Sequence, residues 1–335
     1  MQWQANDSRY ESSTYKRCGQ SGIKLPPLSL GFWHNFGLQD NQDEIKKIIH
    51  HAFDSGIVHF DLANNYGPPA GSAESTLGKH LTQDLKPYRD ELFIATKAGW
   101  DMWPGPYGDL GSRKYLMTSL EQSLQRMNLE YVDLFYHHRP DPKTPLEETI
   151  GALKDLTLQG KCLYVGISSY SAAETQKAYT IAQQMNLPIL ANQVSYSLLS
   201  PEVEEELFPT LEQLGIGAIA FAPLSQGILT GKYSDGIPTG SRAQRKDGHL
   251  LPDMITPEMQ NKIHALLQIA QQRGESLAQM SLAWLIQGFP ASTLLGVRNL
   301  EQLKSNLQAL RSAVFSLEEK QAIYQIIGSN KVSTV

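Results

Sequence analysis

Eight short apolar runs, each parted from the next by a segment long enough to hold a helix, constrain this 335-residue chain more than any other feature. The runs lie at about 28–31, 57–61, 92–96, 132–136, 163–167, 188–192, 216–221 and 292–296. Between the first two, Asp43 to Ser55 repeats its apolar residues at helical spacing. Ile45, Ile48, Ile49, Ala52 and Phe53 share one face, and Gly56 follows as a C-terminal cap. The segments around 112–127, 145–159, 171–185 and 202–213 read the same way. Strands joined by connections of a dozen or more residues are parallel, because the crossover must return the chain to the same end of the sheet. Eight such units predict an α/β fold, a (β/α)8 TIM barrel, as a single domain over 1–335. An open doubly wound sheet is the competing architecture. Against it, no Gly-x-Gly-x-x-Gly follows a predicted strand, and no shift in composition marks a second domain.

Four segments exceed the minimal barrel. Tyr15–Arg17 and Ile23–Leu25 flank Gly19 and Gly22, which predicts an N-terminal hairpin over about 15–25. The stretch from Gly99 to Gly108 is rich in aromatics, proline and glycine, and 234–254 is polar and basic, with Arg242, Arg245 and Lys246. Near the end, Ser316 as N-cap with Glu318 and Glu319 in the first turn predicts an added C-terminal helix over about 316–327.

A net charge of −5 with no basic tract argues against nucleic acid and anionic membranes as partners. The sequence has no apolar run near the ~18 residues of a membrane span, and no signal-peptide pattern. Cys18 and Cys162 form neither a disulfide framework nor a metal-ligand spacing. The expectation is a cytoplasmic protein with two buried thiols and no bound metal.

Barrel chemistry sits where the strands end. Strand two ends in Asp61, with Tyr66 five residues on; strand three ends in Lys97; strand four ends in His137 and His138. Singly, each has an ordinary explanation as a cap or a solvated terminus. Converging on one mouth, they form a set whose charges would be costly without use. A phenol is a poor acid at neutral pH, with a free pKa of about 10. A nearby ammonium favours the phenolate, and an aspartate keeps that ammonium charged and oriented. A histidine opposite can orient a substrate oxygen. Such a set suits protonation of a carbonyl oxygen as it becomes an alkoxide. No Gly-x-Ser-x-Gly nucleophile motif competes, and the adjacent histidines do not form a zinc motif.

Protonating a carbonyl requires a hydride source. Ser168, Ser169 and Gln193 offer the donors and acceptors a carboxamide needs, and Phe221 offers a ring face. After strand seven, Pro223 to Lys232 resembles a phosphate loop. It is one residue short of Walker A spacing and lacks the following Ser/Thr, yet its backbone N–H groups and Lys232 can hold a pyrophosphate.

Asp61-x-Ala63-x-x-Tyr66-Gly67, Lys97 and Asp133-Leu134-x-x-x-His138-x-x-Asp141 resemble, in order, the signature segments of the aldo-keto reductases, over about residues 15–325. The resemblance implies NADPH-dependent reduction of carbonyls by a (β/α)8 enzyme. Tyr66 would be the general acid, Lys97 and Asp61 its activators, and His138 the substrate orienter, with His137 structural. It implies cofactor contacts from Trp33, Asp61, Tyr66, Ser168, Ser169, Gln193 and Phe221. Leu224, Ser225, Gln226, Gly227 and Lys232 would hold the pyrophosphate. Gly296, Arg298, Gln302 and Asn306 would hold the adenosine phosphate, the guanidinium suiting the 2′-phosphate of NADP.

Within the family, Trp33-His34-Asn35-Phe36-Gly37 and Ala63-Asn64-Asn65-Tyr66-Gly67-Pro68-Pro69 resemble two branches: bacterial L-glyceraldehyde 3-phosphate reductases and potassium-channel β subunits. Met102-Trp103-Pro104-Gly105-Pro106-Tyr107-Gly108 favours the former, although His137 stands where that branch has a small polar residue. The implied substrate is a small aldehyde of the glyceraldehyde 3-phosphate or methylglyoxal type. Trp33, Trp100 and Trp103 would wall its pocket, with Arg113, Arg139 or Arg245 near a substrate phosphate. The branch resemblance also implies a homo-oligomer, a tetramer or larger. The alternatives are an NADP(H)-binding regulatory subunit and a barrel lyase using Lys97 as a Schiff base.

Overall fold

The computed structural model describes residues 3–11, 14–244 and 250–328; Arg245 and Lys246 lie outside the described residues. A two-stranded hairpin, β1 (Lys16–Arg17) and β2 (Lys24–Leu25), precedes eight parallel strands. These are β3 (Leu28–Gly31), β4 (His59–Asp61), β5 (Phe93–Ala98), β6 (Val132–His137), β7 (Cys162–Ser168), β8 (Ile189–Ser195), β9 (Gly217–Phe221) and β10 (Ser292–Leu295). They close in chain order, with β10 pairing β3, so the (β/α)8 barrel and its N-terminal hairpin are as the sequence predicts. The second strand is shorter than its apolar run, since Ile57 and Val58 lead into it outside the ladder.

Helices cover the outside. In α1 (Gln42–Asp54) the side chain of Asn41 accepts from the N–H groups of Asp43 and Glu44, and Ile45, Ile48, Ile49, Ala52 and Phe53 are buried. That capping and that stripe are what amphipathic burial requires. The others on the ring are α2 (Ser72–His80), α3 (Arg113–Met127), α4 (Leu146–Leu158), α5 (Ala172–Gln184) and α6 (Leu207–Leu214). The expected helix over 202–213 is broken: Glu202–Glu204 form a separate 3-10 turn, and Pro201 precedes it. After β9 come α7 (Pro257–Gln272), α8 (Leu277–Gln287), α9 (Leu300–Leu307) and α10 (Leu317–Ile327). Ser316 and Glu319 form the capping box of α10. That added helix has a companion, because α7 packs beside it while α8 packs against β10. Arg273 fastens the pair, donating to both oxygens of Glu319 at 2.8 Å and stacking 4.0 Å over Phe315.

Alternate residues of a strand face the bore. Phe93 and Ala95, Leu134 and Tyr136, Ala191, Ile219 and Leu294 fill it, and Cys18 and Leu25 of the hairpin region join the same cluster from below. Gly166 makes this packing feasible: a Cβ there would lie 2.5 Å from the Tyr136 ring. One further step of two along the strands brings Lys97, His138, Gln193 and Phe221 to the opposite, open end.

Candidate active site

Asp61 ends β4, Lys97 lies in β5, and His138 follows β6, so adjacent strands deliver three of the four expected catalytic groups. Tyr66 returns to them from the β4–α2 connection. Lys97, wholly buried, donates from Nζ to Asp61 Oδ2 at 2.6 Å, to the carbonyl of Leu62 at 2.6 Å and to Tyr66 Oη at 3.2 Å. The other oxygen of Asp61 accepts from Gln193 Nε2 at 2.8 Å. The carboxylate is therefore engaged by partners on both sides and serves as a support. His138 stands edge-on to Tyr66, with ring centroids 5.9 Å apart. All four expected catalytic residues come together at one mouth.

Electrostatics assign protonation states. Burial alone would lower Lys97, but Asp61 and then Tyr66 outweigh it and hold the ammonium above its ordinary value. Burial lifts the Asp61 carboxyl, against the pull of Lys97 and Gln193. Burial also lifts the Tyr66 phenol above its ordinary range, and the opposing Lys97 charge does not cancel it. The expected net lowering of the phenol is therefore reversed by its depth. Tyr66 remains protonated at neutral pH, and because its oxygen accepts from Lys97, its own O–H is left to donate elsewhere. His138 is held well below the ordinary histidine value, first by burial and then by Lys97, His137 and Arg139, so its ring is neutral.

The other expected positions divide by place. Ser168 Oγ donates to the carbonyl of Gln193 at 3.0 Å, and Ser169 beside it is exposed with a left-handed φ of 61°. Gln193 turns its amide to Asp61, and Phe221 is half-buried at the end of β9. From Leu224 the chain curls through Ser225 (φ 46°), Gln226 (φ 58°) and Gly227 (φ 96°), with the Ser225 and Gly227 N–H groups donating back to the carbonyls of Ala222 and Leu224. A Cβ on Gly227 would meet Lys232 Nζ at 3.1 Å. Ser225 Oγ is 2.7 Å from Ser197 Oγ.

A cavity of about 570 Å³ joins Trp33, Asn35, Asn65, Gln226, Arg242 and Arg298. Gly296 is exposed after β10, and the Gln302 side chain accepts from the Arg298 N–H at 2.8 Å. Asn299 caps α9 by accepting from the Gln302 N–H at 2.9 Å. Asn306 is buried on the same helix, whereas Gln302 is exposed. Arg242 was visible in sequence only as part of a basic stretch; here it donates to Gln226 Oε1 at 2.9 Å across the cavity wall. Asn299 also escaped the reading, although Asn before an amphipathic run is the cap signal.

The tryptophans separate. Trp33 is half-buried in the cavity, Trp100 stands edge-on to His138 at 6.3 Å, and Trp103 packs on Tyr115 at 5.1 Å. Arg113 pairs with Asp155 at 2.5 Å on the barrel's outside. His137, fully buried, faces away from His138 and shares a 2.7 Å hydrogen bond with Tyr170 Oη.

Residues 27–327 match the profile of the aldo/keto reductase family. The chain belongs to that family. This aldo/keto reductase is an oxidoreductase, 52% identical over 99% of its length to the L-glyceraldehyde 3-phosphate reductase of Escherichia coli O157:H7. The L-glyceraldehyde 3-phosphate reductase of Escherichia coli strain K12 is 51% identical over the same share, and 98% of each relative is covered. Among the described residues of this aldo/keto reductase, no helix is long and apolar enough to cross a membrane.

Proposed function

We propose that this protein is an NADPH-dependent reductase of small aldehydes of the glyceraldehyde 3-phosphate or methylglyoxal type, working in the cytoplasm as a homo-oligomer. The observation carrying the reading is the chain Asp61–Lys97–Tyr66, which ends in a buried, protonated phenol whose O–H meets no acceptor side chain among the described residues. Relatives named for a three-carbon phosphorylated aldehyde support the substrate class.

The residues present suit the cofactor. Leu224, Ser225, Gln226, Gly227 and Lys232 would hold the diphosphate, with the Lys232 ammonium beside the bare Gly227 supplying the countercharge. Arg298 lines the cavity and forms no ion pair among the described residues, so its fork is available to a 2′-phosphate, with Gly296, Gln302 and Asn306 adjoining. Ser168, Ser169, Gln193 and Phe221 would hold the nicotinamide end, with Trp33 nearby. Bound there, NADPH would supply a hydride from C4 of the nicotinamide to the carbonyl carbon.

The chain's own residues manage the proton. Tyr66 transfers its phenolic proton to the carbonyl oxygen as negative charge develops, and Lys97 stabilises the phenolate left behind. Asp61, fixed by Gln193, holds Lys97 in line and charged. Neutral His138 donates a ring N–H to the same oxygen and sets the face presented to the hydride. Lys97 held as an ammonium is a poor Schiff-base nucleophile, which disfavours the lyase alternative. The test is NADPH oxidation with glyceraldehyde 3-phosphate and methylglyoxal in wild type and Tyr66→Phe. Turnover lost in the variant, with NADPH affinity within about twofold of wild type, is expected. A wild type that binds NADPH tightly and reduces neither aldehyde overturns the proposal.

A further inference from the structure

The loop from Gly99 to Gly111 is held at both ends by residues that immediately follow β6. His138 faces Tyr66, whereas Arg139 serves the loop. Its Nε donates to the carbonyl of Gly99 at 2.7 Å, and its Nη2 donates to both oxygens of Asp109 at 2.9 Å. The guanidinium carbon lies 3.8 Å from the centre of the Trp100 ring. At the other end Asp141 Oδ2 accepts from the Gly111 N–H at 2.9 Å. The carbonyl of Trp100 is fixed by Tyr115 Oη at 2.5 Å. His137 closes the space beside the loop, since a Cβ on Gly111 would fall 2.8 Å from its Nε2. The product of these contacts is the position of Trp100, edge-on to His138 with rings at 87°.

Arg139 adjoins the residue that orients the substrate, so it is the obvious receptor for a substrate phosphate. Its surroundings oppose that role. Asp109 and Gly99 occupy its fork, and Trp100 covers a face. Asp101 adds a second carboxylate near the first, and the proximity of Asp109 raises it. Asp109 already compensates the guanidinium's charge, and a phosphate would have to displace it and come close to Asp101 as well.

Resting on the reductase reading, we propose that Arg139 is a positioning residue that clamps Trp100 as the wall limiting aldehyde length, and is not the receptor for an anionic substrate group. Steady-state kinetics of wild type, Arg139→Met, Arg139→Lys and Asp109→Asn are compared on propanal, hexanal, glyceraldehyde and glyceraldehyde 3-phosphate. In both Arg139 variants the hexanal-to-propanal ratio of kcat/KM rises about tenfold, chiefly through KM, because a pocket wall has moved. Lysine does not rescue, since it reproduces neither the fork nor the stack. Asp109→Asn loosens the same wall in the same direction and guards against misfolding of the Arg139 variants. Glyceraldehyde and its 3-phosphate lose alike, and NADPH affinity is unchanged. A selective loss of about tenfold or more for the phosphorylated substrate, with the chain-length ratio unmoved, overturns the proposal. If wild type reduces no aldehyde, the reductase reading falls, and hydrogen exchange still judges the clamp. Faster exchange over 100–111 in Arg139→Met supports it, and unchanged exchange refutes it.

Discussion

Replacing Lys97 by methionine removes one charge from the middle of the site while keeping most of the side-chain volume. Three hydrogen bonds go with it: to Asp61, to the Leu62 carbonyl and to Tyr66. At 3.2 Å from Tyr66 Oη, an ammonium interacts with a full phenolate by about 5 kcal/mol at an effective dielectric of about 20. Only part of that is new in the transition state, so the expected loss resembles removal of one oxyanion donor, about 10²–10³ in kcat. The fold also suffers. Asp61 is left buried with the Gln193 amide as its remaining side-chain partner among the described residues, and breaking a buried pair from one side costs about 3–5 kcal/mol.

That cost has a pH signature. Burial already raises Asp61, and loss of Lys97 raises it further. Between the unfolded value of about 3.9 and the folded one, the native state keeps a proton that the unfolded chain has lost, so stability falls as pH rises, by up to about 1.4 kcal/mol per pH unit. Lys97→Met is therefore closer to wild type in urea melts at pH 5 than at pH 8. Adding Asp61→Asn to Lys97→Met restores stability at pH 8 but not turnover. A Lys97→Met enzyme within about tenfold of wild-type kcat, or a double variant no more stable than the single one, refutes the buried-pair reasoning.

Arg298→Ala should weaken NADPH by about tenfold or more and NADH far less, measured by quenching of protein fluorescence; equal losses contradict a 2′-phosphate contact. Because His138 is neutral and Tyr66 is raised, kcat/KM for reduction should be flat from about pH 6 to 9. It should fall only above about 10, as the phenol ionises, and a step near pH 6.5 would contradict a neutral His138. Gly166→Ala should cost about 1–3 kcal/mol by overpacking Tyr136, read as a lowered Tm, with no change in the residues that bind cofactor.

The barrel was legible because its elements obey local rules. α1 and α10 carry their caps and stripes in plain view, and period-two counting along β5 and β6 puts Lys97 and His138 at the same end. α8 was not legible: Leu277, Met280, Leu282, Ala283, Trp284 and Leu285 are buried around most of its circumference, so no single stripe announces a helix. α2 follows Gly71, which offers no side-chain cap, and buries Glu74 and His80, which reads as a polar segment until Arg126 is found 2.7 Å from Glu74. The site's residue types could be chosen from strand ends, but the sign of the Tyr66 shift could not. It depends on depth in the protein, which spacing does not encode. The Gln193–Asp61 bond was likewise hidden, because residues 132 apart meet only once the ring has closed.

That last bond ties the chemistry to the shape of the whole molecule. β8 and β4 stand four places apart in a ring of eight, so Gln193 spans the bore as a strut between opposite walls. Its length is set by the roundness of the barrel's cross-section and by neither strand alone. Any flattening of the ring lengthens one diameter, slackens the strut and releases Asp61 from its alignment with Lys97. The alignment of Asp61 thus draws on both halves of the barrel, with Lys97 holding it from the neighbouring strand and Gln193 from the opposite one.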